Sequence, residues 1–235
     1  MGTLTNNQLQ DEILSNLANR TDFTVGVGTR LERFLNMSQD RIARLERFRE
    51  MKKYSKETIT NSGDITVDKF LALPNQFRSG YSLTLQDGTS SHKLDYVDPL
   101  LWDTRFPRVQ ETSRDAPRLY TLFDDDNIEL FPIPDASYEV RLRWERWPTV
   151  FSALTQVSDF DHLDDVLIAL ATSWANLTLG QMEQSTVYFT IFRSMMAEIH
   201  VDAQRDSLKN IVPEFEVGGG AAPGNYWLDP FVQSI

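Results

Sequence analysis

The apolar residues of this chain change their spacing twice, from a helical period to a strand period and back, and few folds accommodate that order. Near the start, Thr5 and Gln8 stand at capping-box spacing, and Leu9, Ile13 and Leu17 recur every four residues. This predicts an amphipathic helix over about residues 5–20. The segment TDFTVGVG then interrupts it with two glycines. Thr29 and Glu32 repeat the capping spacing. Beyond them Leu31, Phe34, Leu35, Ile42 and Leu45 fall on one side of a second helix running to about residue 51.

From Tyr54 to Val150 the period is two. YSLTL (81–85), a turn-forming Asp-Gly pair and KLDYV (93–97) read as one hairpin. LYTLF (119–123) and IELF (128–131) read as another, around the polar tip Asp124–Asn127. The clearest strand is 138–147, where Tyr138, Val140, Leu142 and Trp144 alternate with Glu139, Arg141, Arg143 and Glu145. Pro99–Phe106 is predicted as a brief helix, and residues 107–117 as an exposed loop.

Helical spacing returns near residue 160. Leu163, Val166, Leu167, Leu170, Trp174 and Leu177 form a stripe behind Asp159, Asp161, Asp164 and Asp165, carboxylates that a helix N-terminus favours. Gly180 separates this helix from a stripe at Tyr188, Ile191, Phe192, Met195 and Ile199, so the two are expected to form an antiparallel hairpin. The last residues are broken by Pro213, Gly218, Gly219, Gly220, Pro223, Gly224 and Pro230, yet include Tyr226, Trp227 and Phe231. An irregular arm with aromatic anchors suits docking into a groove, on itself or on a partner. The expected fold class is therefore α+β. Helices of 1–52 and a helical hairpin of 151–208 share a bundle, an antiparallel β-rich module of 53–150 is inserted between them, and 209–235 is an extended C-terminal arm.

Charge narrows the function. The net charge of −11 divides as +1 over residues 1–52, −4 over 53–150 and −8 over 151–235. An acidic protein is repelled by duplex DNA and by anionic membrane surfaces, which argues against a conventional DNA binder. With no cysteine, disulfides, thiol catalysis and Cys-ligated metals are excluded. No apolar run reaches the ~18–20 residues that span a bilayer, and the first residues lack the basic and apolar regions of a signal peptide. A soluble protein that works inside a cell is expected.

The search for chemistry finds little. His92, His162 and His200 have no ligand spacing and read as surface or hydrogen-bonded histidines. Gly26 and Gly28 imitate a dinucleotide fingerprint, but Leu31 takes the third glycine's place and no strand precedes them, so they read as a linker. Asp124, Asp125 and Asp126 could suggest a cation loop, but Ile128 breaks the ligand series, and a hairpin tip explains them better. No catalytic residue, cofactor or metal site is expected. One charge pattern remains. Arg30, Arg33, Arg41, Arg44 and Arg47 form a basic face on the second helix. They either make a solvated face partly paired with Asp40 and Glu46, or an interface, with Arg33, Arg41 and Arg44 as its subunit contacts. In the second case the acidic C-terminal third of another copy is the complement, and such a head-to-tail contact closes into a ring.

These segments, in this order, resemble the head-to-tail adaptor (connector or neck) proteins of tailed bacteriophages. RLERFLNMSQDRIARLERFREM (30–51) resembles their second helix. LALP (71–74) and KLDYVDP (93–99) follow in step. APRLYTLFDDDNIELFPIPDASYEVRLRWERWP (116–148) is similar to their Pro-x-x-Tyr, polar tip, Pro-x-Pro and strand run, although Ala116 stands where the pattern usually has Gly. DFDHLDDVLIALATSWA (159–175) is similar to their aspartate-led third helix. The resemblance covers about residues 5–208. It implies a structural virion protein: a ring, dodecameric, between the portal protein and a tail (nozzle or tail-tube) protein, lining a channel through which genomic DNA passes without specific binding. It implies assembly in the host cytoplasm, no membrane and no cofactor. Tyr226, Trp227 and Phe231 would be partner-docking residues of the arm. The alternatives are another tail or tail-completion structural protein, or a carbohydrate-binding β module using Trp102, Trp144 and Trp147 as platforms.

Overall fold

The first helix, α1 (Asn6–Asn16), starts where the sequence predicts. The Gln8 amide donates to the Thr5 hydroxyl, and the Thr5 amide donates back to the Gln8 carboxamide oxygen at 2.9 Å. It stops four residues early, because Ala18 and Asn19 adopt left-handed φ of 57° and 53°. The second helix, α2 (Arg30–Leu45), is capped by Thr29. It also ends early. Glu46 is extended, and beyond it Phe48 and Met51 are buried, Met51 from a short 3-10 turn, Arg49–Met51. Packing decides this end: Phe48 meets Phe160 edge-on, with ring centroids 4.9 Å apart.

The computed structural model describes residues 2–88, 90–106, 114–122, 124 and 126–209. They form two compact units, one of residues 2–51 and 147–209, the other of residues 52–146. The arm beyond Lys209, with Tyr226, Trp227 and Phe231, lies outside the described residues, as do residues 107–113 of the expected loop.

In the helical unit, α5 (Asp164–Thr178) is the central element and α6 (Met182–Lys209) the longest. Leu9 and Ile13 of α1, Leu31, Leu35 and Ile42 of α2, Leu167 and Leu170 of α5, and Phe192 and Met196 of α6 share one core. Each of these large side chains contributes roughly 1.5–3 kcal/mol by burial. Ala169, Ala171 and Ala175 are buried too, so α5 is covered on nearly all sides rather than along one stripe. Leu177, expected on that stripe, is exposed, and so is Ile191 on α6, where Ser185 and Met196 take the inward positions. Gly180, at φ 73°, makes the turn between the helices. The Ser173 and Ser185 hydroxyls then each donate to the other's carbonyl, at 2.9 and 3.0 Å.

The β unit holds β1 (Lys52–Ile59), β2 (Phe70–Ala72), β3 (Phe77–Asp87), β4 (Ser90–Lys93), β5 (Asp95–Tyr96), β6 (Leu119–Leu122), β7 (Asn127–Phe131) and β8 (Tyr138–Arg146), with short helices α3 (Ile65–Asp68) and α4 (Pro99–Arg105). One sheet has the order β1-β8-β3-β4, all antiparallel, and the other β2-β7-β6-β5, with β5 parallel to β6. Both sheets contribute to a single core, including Leu83, Val140 and Leu142 from the first and Tyr120, Ile128 and Leu130 from the second. The hairpin expected over 81–97 is divided between them. Lys93 pairs with Thr84, whereas Asp95 pairs with Leu119, and the chain changes sheet at the buried Leu94.

Candidate functional site

Three faces of α2 do different work. Its apolar side lies in the helical core. Its polar side grips the chain that returns to this unit. The Phe151 amide donates to Asn36 Oδ1 at 2.8 Å, and Gln39 Nε2 donates to the Thr149 carbonyl. Glu32 does not close its capping box on Thr29. It is buried, and its carboxylate accepts from Asn6 Nδ2 at 3.0 Å and from the Gly28 amide. Gln10 accepts from the Gly26 amide at 2.9 Å. The two linker glycines are therefore tied into a buried polar network.

The third face of α2 is open. Arg33, Arg41 and Arg44 are exposed, together with Met37 and Leu45, each 48% exposed. Spacings of three and four residues put these five on one stripe. Among the described residues no carboxylate is placed in an ion pair with Arg33, Arg41 or Arg44. Arg44 instead lies over the Trp147 ring, 5.9 Å from its centroid. Glu46, one of the two carboxylates expected to pair with this face, meets His200 Nδ1 at 2.6 Å. On the acidic side, Asp165 of α5 and Glu183 and Glu198 of α6 are exposed.

The remaining candidates resolve into structure. His92 Nε2 lies 3.0 Å from the Pro117 carbonyl, and His162 is an exposed turn residue at φ 55°. Asp124 accepts from Asn127 Nδ2 at 3.2 Å and from the Asp126 and Asn127 amides. These bonds, the Asn127 side chain's first, lower its pKa and close the hairpin tip. Trp102 and Trp144 are 2% and 7% exposed and offer no sugar platform, while Trp147 packs on the helical core. Among the described residues no cluster of His, Asp and Glu could hold a metal ion, and no helix is long and apolar enough to cross a membrane.

Two carboxylates escaped the sequence reading. Asp68, next to a turn, accepts from the Ser62 hydroxyl at 2.7 Å and from the Ser62 amide, Arg114 and the Gly63 amide. Those bonds, the Ser62 hydroxyl's foremost, outweigh burial and bring its pKa from 3.8 to about 2. Glu145, assigned by alternation to the outer side of β8, is fully buried and paired with Arg78 at 3.1 Å. Alternation marks sides of a strand but does not say whether the outer side is covered.

The sequence profile of the SU10 adaptor protein family matches residues 5–213. The chain belongs to this family and is a phage structural adaptor protein, hence a virion component that contacts other head or tail proteins. No individual curated protein matches the sequence.

Proposed function

We propose that this adaptor forms a ring, of twelve copies, between the portal protein and the tail, and that DNA passes through its acidic lumen without being held. The observation that carries the reading is the exposed stripe of Arg33, Arg41 and Arg44, cations with no carboxylate partner among the described residues on an otherwise acidic chain. A face of this kind is complementary to an acidic surface of another copy, and α5 and α6 carry exposed carboxylates at separate places, among them Asp165, Glu183 and Glu198. Because the two patches differ, the contact is heterologous and generates a ring when the rotation closes. Guanidinium groups suit it, since each can hold a carboxylate through two parallel hydrogen bonds. The net charge of −11 supports the second part of the proposal, because carboxylates facing a channel repel DNA phosphates and let the strand slide. In the assembled neck, Tyr226, Trp227 and Phe231 engage the portal or tail component.

The contact is tested by reversing its charge. Arg41→Glu with Arg44→Glu should weaken subunit association by at least about tenfold, since like charges meet across the contact, while the thermal midpoint changes little. If stability collapses and association is spared, the arginines support the fold and the proposed contact is wrong.

A further inference from the structure

Among the described residues of the helical unit there is an apolar groove that its own core leaves unfilled. It lies between α2 and α6 and has a volume of about 540 Å³. Leu45, Phe189, Phe192 and Met196 line it, and Arg41 and Arg193 stand at its edges. Leu45 and Phe189 are 48% and 41% exposed, which is unusual for large apolar side chains facing a common depression. The groove's carboxylate, Glu46, is engaged by His200, whereas among the described residues no carboxylate pairs with Arg41 or Arg193. An occupant should therefore be apolar, preferably aromatic, and carry negative charge.

One segment of this chain has that chemistry. After α6 ends at Lys209, 26 residues follow that contain Glu214, Glu216 and Asp229 but no Lys or Arg. Within them, Trp227, Asp229 and Phe231 alternate, so an extended backbone would point two aromatic rings and the carboxylate between them to one side. The connection is long enough. The groove's α6 residues lie 9–20 positions before Lys209, or about 14–30 Å along a helix rising 1.5 Å per residue. The 18 steps from Lys209 to Trp227 span up to ~60 Å extended. As a flexible chain they have a typical end-to-end distance of ~23 Å. Gly218, Gly219 and Gly220 make the reversal sterically easy. A tether of this length presents the segment to its own groove at millimolar effective concentration, far above the concentration of another copy in dilute solution.

We propose that in the free protein the segment 226–231 folds back along α6 and occupies the α2/α6 groove of its own chain. Trp227 and Phe231 then lie against Leu45, Phe192 and Met196, and Asp229 lies between Arg41 and Arg193. The proposal does not require the ring. It has one consequence that does rest on the adaptor reading: Arg41 would be covered until the arm leaves, so arm release and subunit association are coupled.

The absence of cysteine makes the test clean. A full-length variant carrying Leu45→Cys and Phe231→Cys is oxidised with glutathione disulfide at low protein concentration. It is compared with a variant carrying Ile191→Cys and Phe231→Cys, because Ile191 is exposed on α6 but outside the groove. Both substituted positions on the helices are exposed, so neither change removes core packing. The expected result is a disulfide-closed monomer that forms at least about tenfold faster than in the control, at a rate independent of dilution. Adding Asp229→Arg should slow closure severalfold. Covalent dimers whose rate falls on dilution would assign the groove to another copy's arm and overturn the proposal, and so would closure no faster than the control. The experiment contains no portal, so its outcome is independent of the ring reading.

Discussion

Two carboxylates show how single residues hold segments that carry no regular structure. Asp164 stands in the first turn of α5, where the helix dipole favours an acid, but its main work is elsewhere. One of its oxygens, Oδ2, accepts from the Thr3 amide, the Thr3 hydroxyl and the Leu4 amide, at 2.7, 2.7 and 2.9 Å. It thereby fastens the N-terminal segment onto the start of a helix 160 residues away. Asp164→Ala removes all three bonds at once and should cost about 2–3 kcal/mol, read as a lower urea midpoint at unchanged slope. Asp68 acts through pH. Its carboxyl titrates at about 2 in the folded chain against 3.8 ordinarily, so the folded state binds fewer protons than the unfolded state in that interval. Its contribution is therefore complete above pH 4 and is lost as pH falls towards 2. Asp68→Asn should lower stability at pH 5 and flatten the loss between pH 4 and 2. Equal pH slopes in the variant and the parent would show that the Ser62–Arg114 cluster does not hold this charge.

At the scale of elements, the described residues of the helical and β units each share a core of their own. Deleting residues 213–235 should leave the helix and strand content unchanged and weaken binding to the portal by about tenfold or more, the effect of losing clustered aromatic anchors. Full binding by the truncated chain would remove the arm from the account. Element type was readable wherever a local rule and the buried pattern agree. Thr5 and Gln8 begin α1 as predicted, the inward side of β8 is the predicted one, and the 119–131 hairpin pairs Leu119 with Phe131. The failures have tertiary causes. Nothing in KLDYV marks the change of sheet at Leu94, because a core residue shared by two sheets looks like any inward strand residue. The helix expected to about residue 51 ends at Leu45, because beyond Glu46 Phe48 and Met51 pack into the core from an irregular segment. Glu145 was placed outside because a covered outer side leaves no trace in alternation.

At the scale of the whole molecule, the chain leaves the helical unit at residue 51 and re-enters it at 147, so that unit is built from both ends of the sequence. Family membership was legible through the order of elements and the 116–148 run, and the profile match across 5–213 spans the segments that carried the resemblance. The candidate interface was legible in part. The run of arginines predicted a basic face, whereas the lack of a carboxylate partner for Arg33, Arg41 and Arg44 among the described residues and the exposure of Met37 and Leu45 needed the folded chain. The α2/α6 groove was invisible beforehand, since its walls come from residues about 150 positions apart. The central claim is that copies of this adaptor associate head to tail into a closed ring. Light scattering gives the mass of the purified protein directly, alone and mixed with its portal protein. The account predicts a discrete ring in one of those two conditions, with a mass near twelve times 27.0 kDa for the adaptor component. A chain that stays monomeric and leaves the portal's mass unchanged would contradict it.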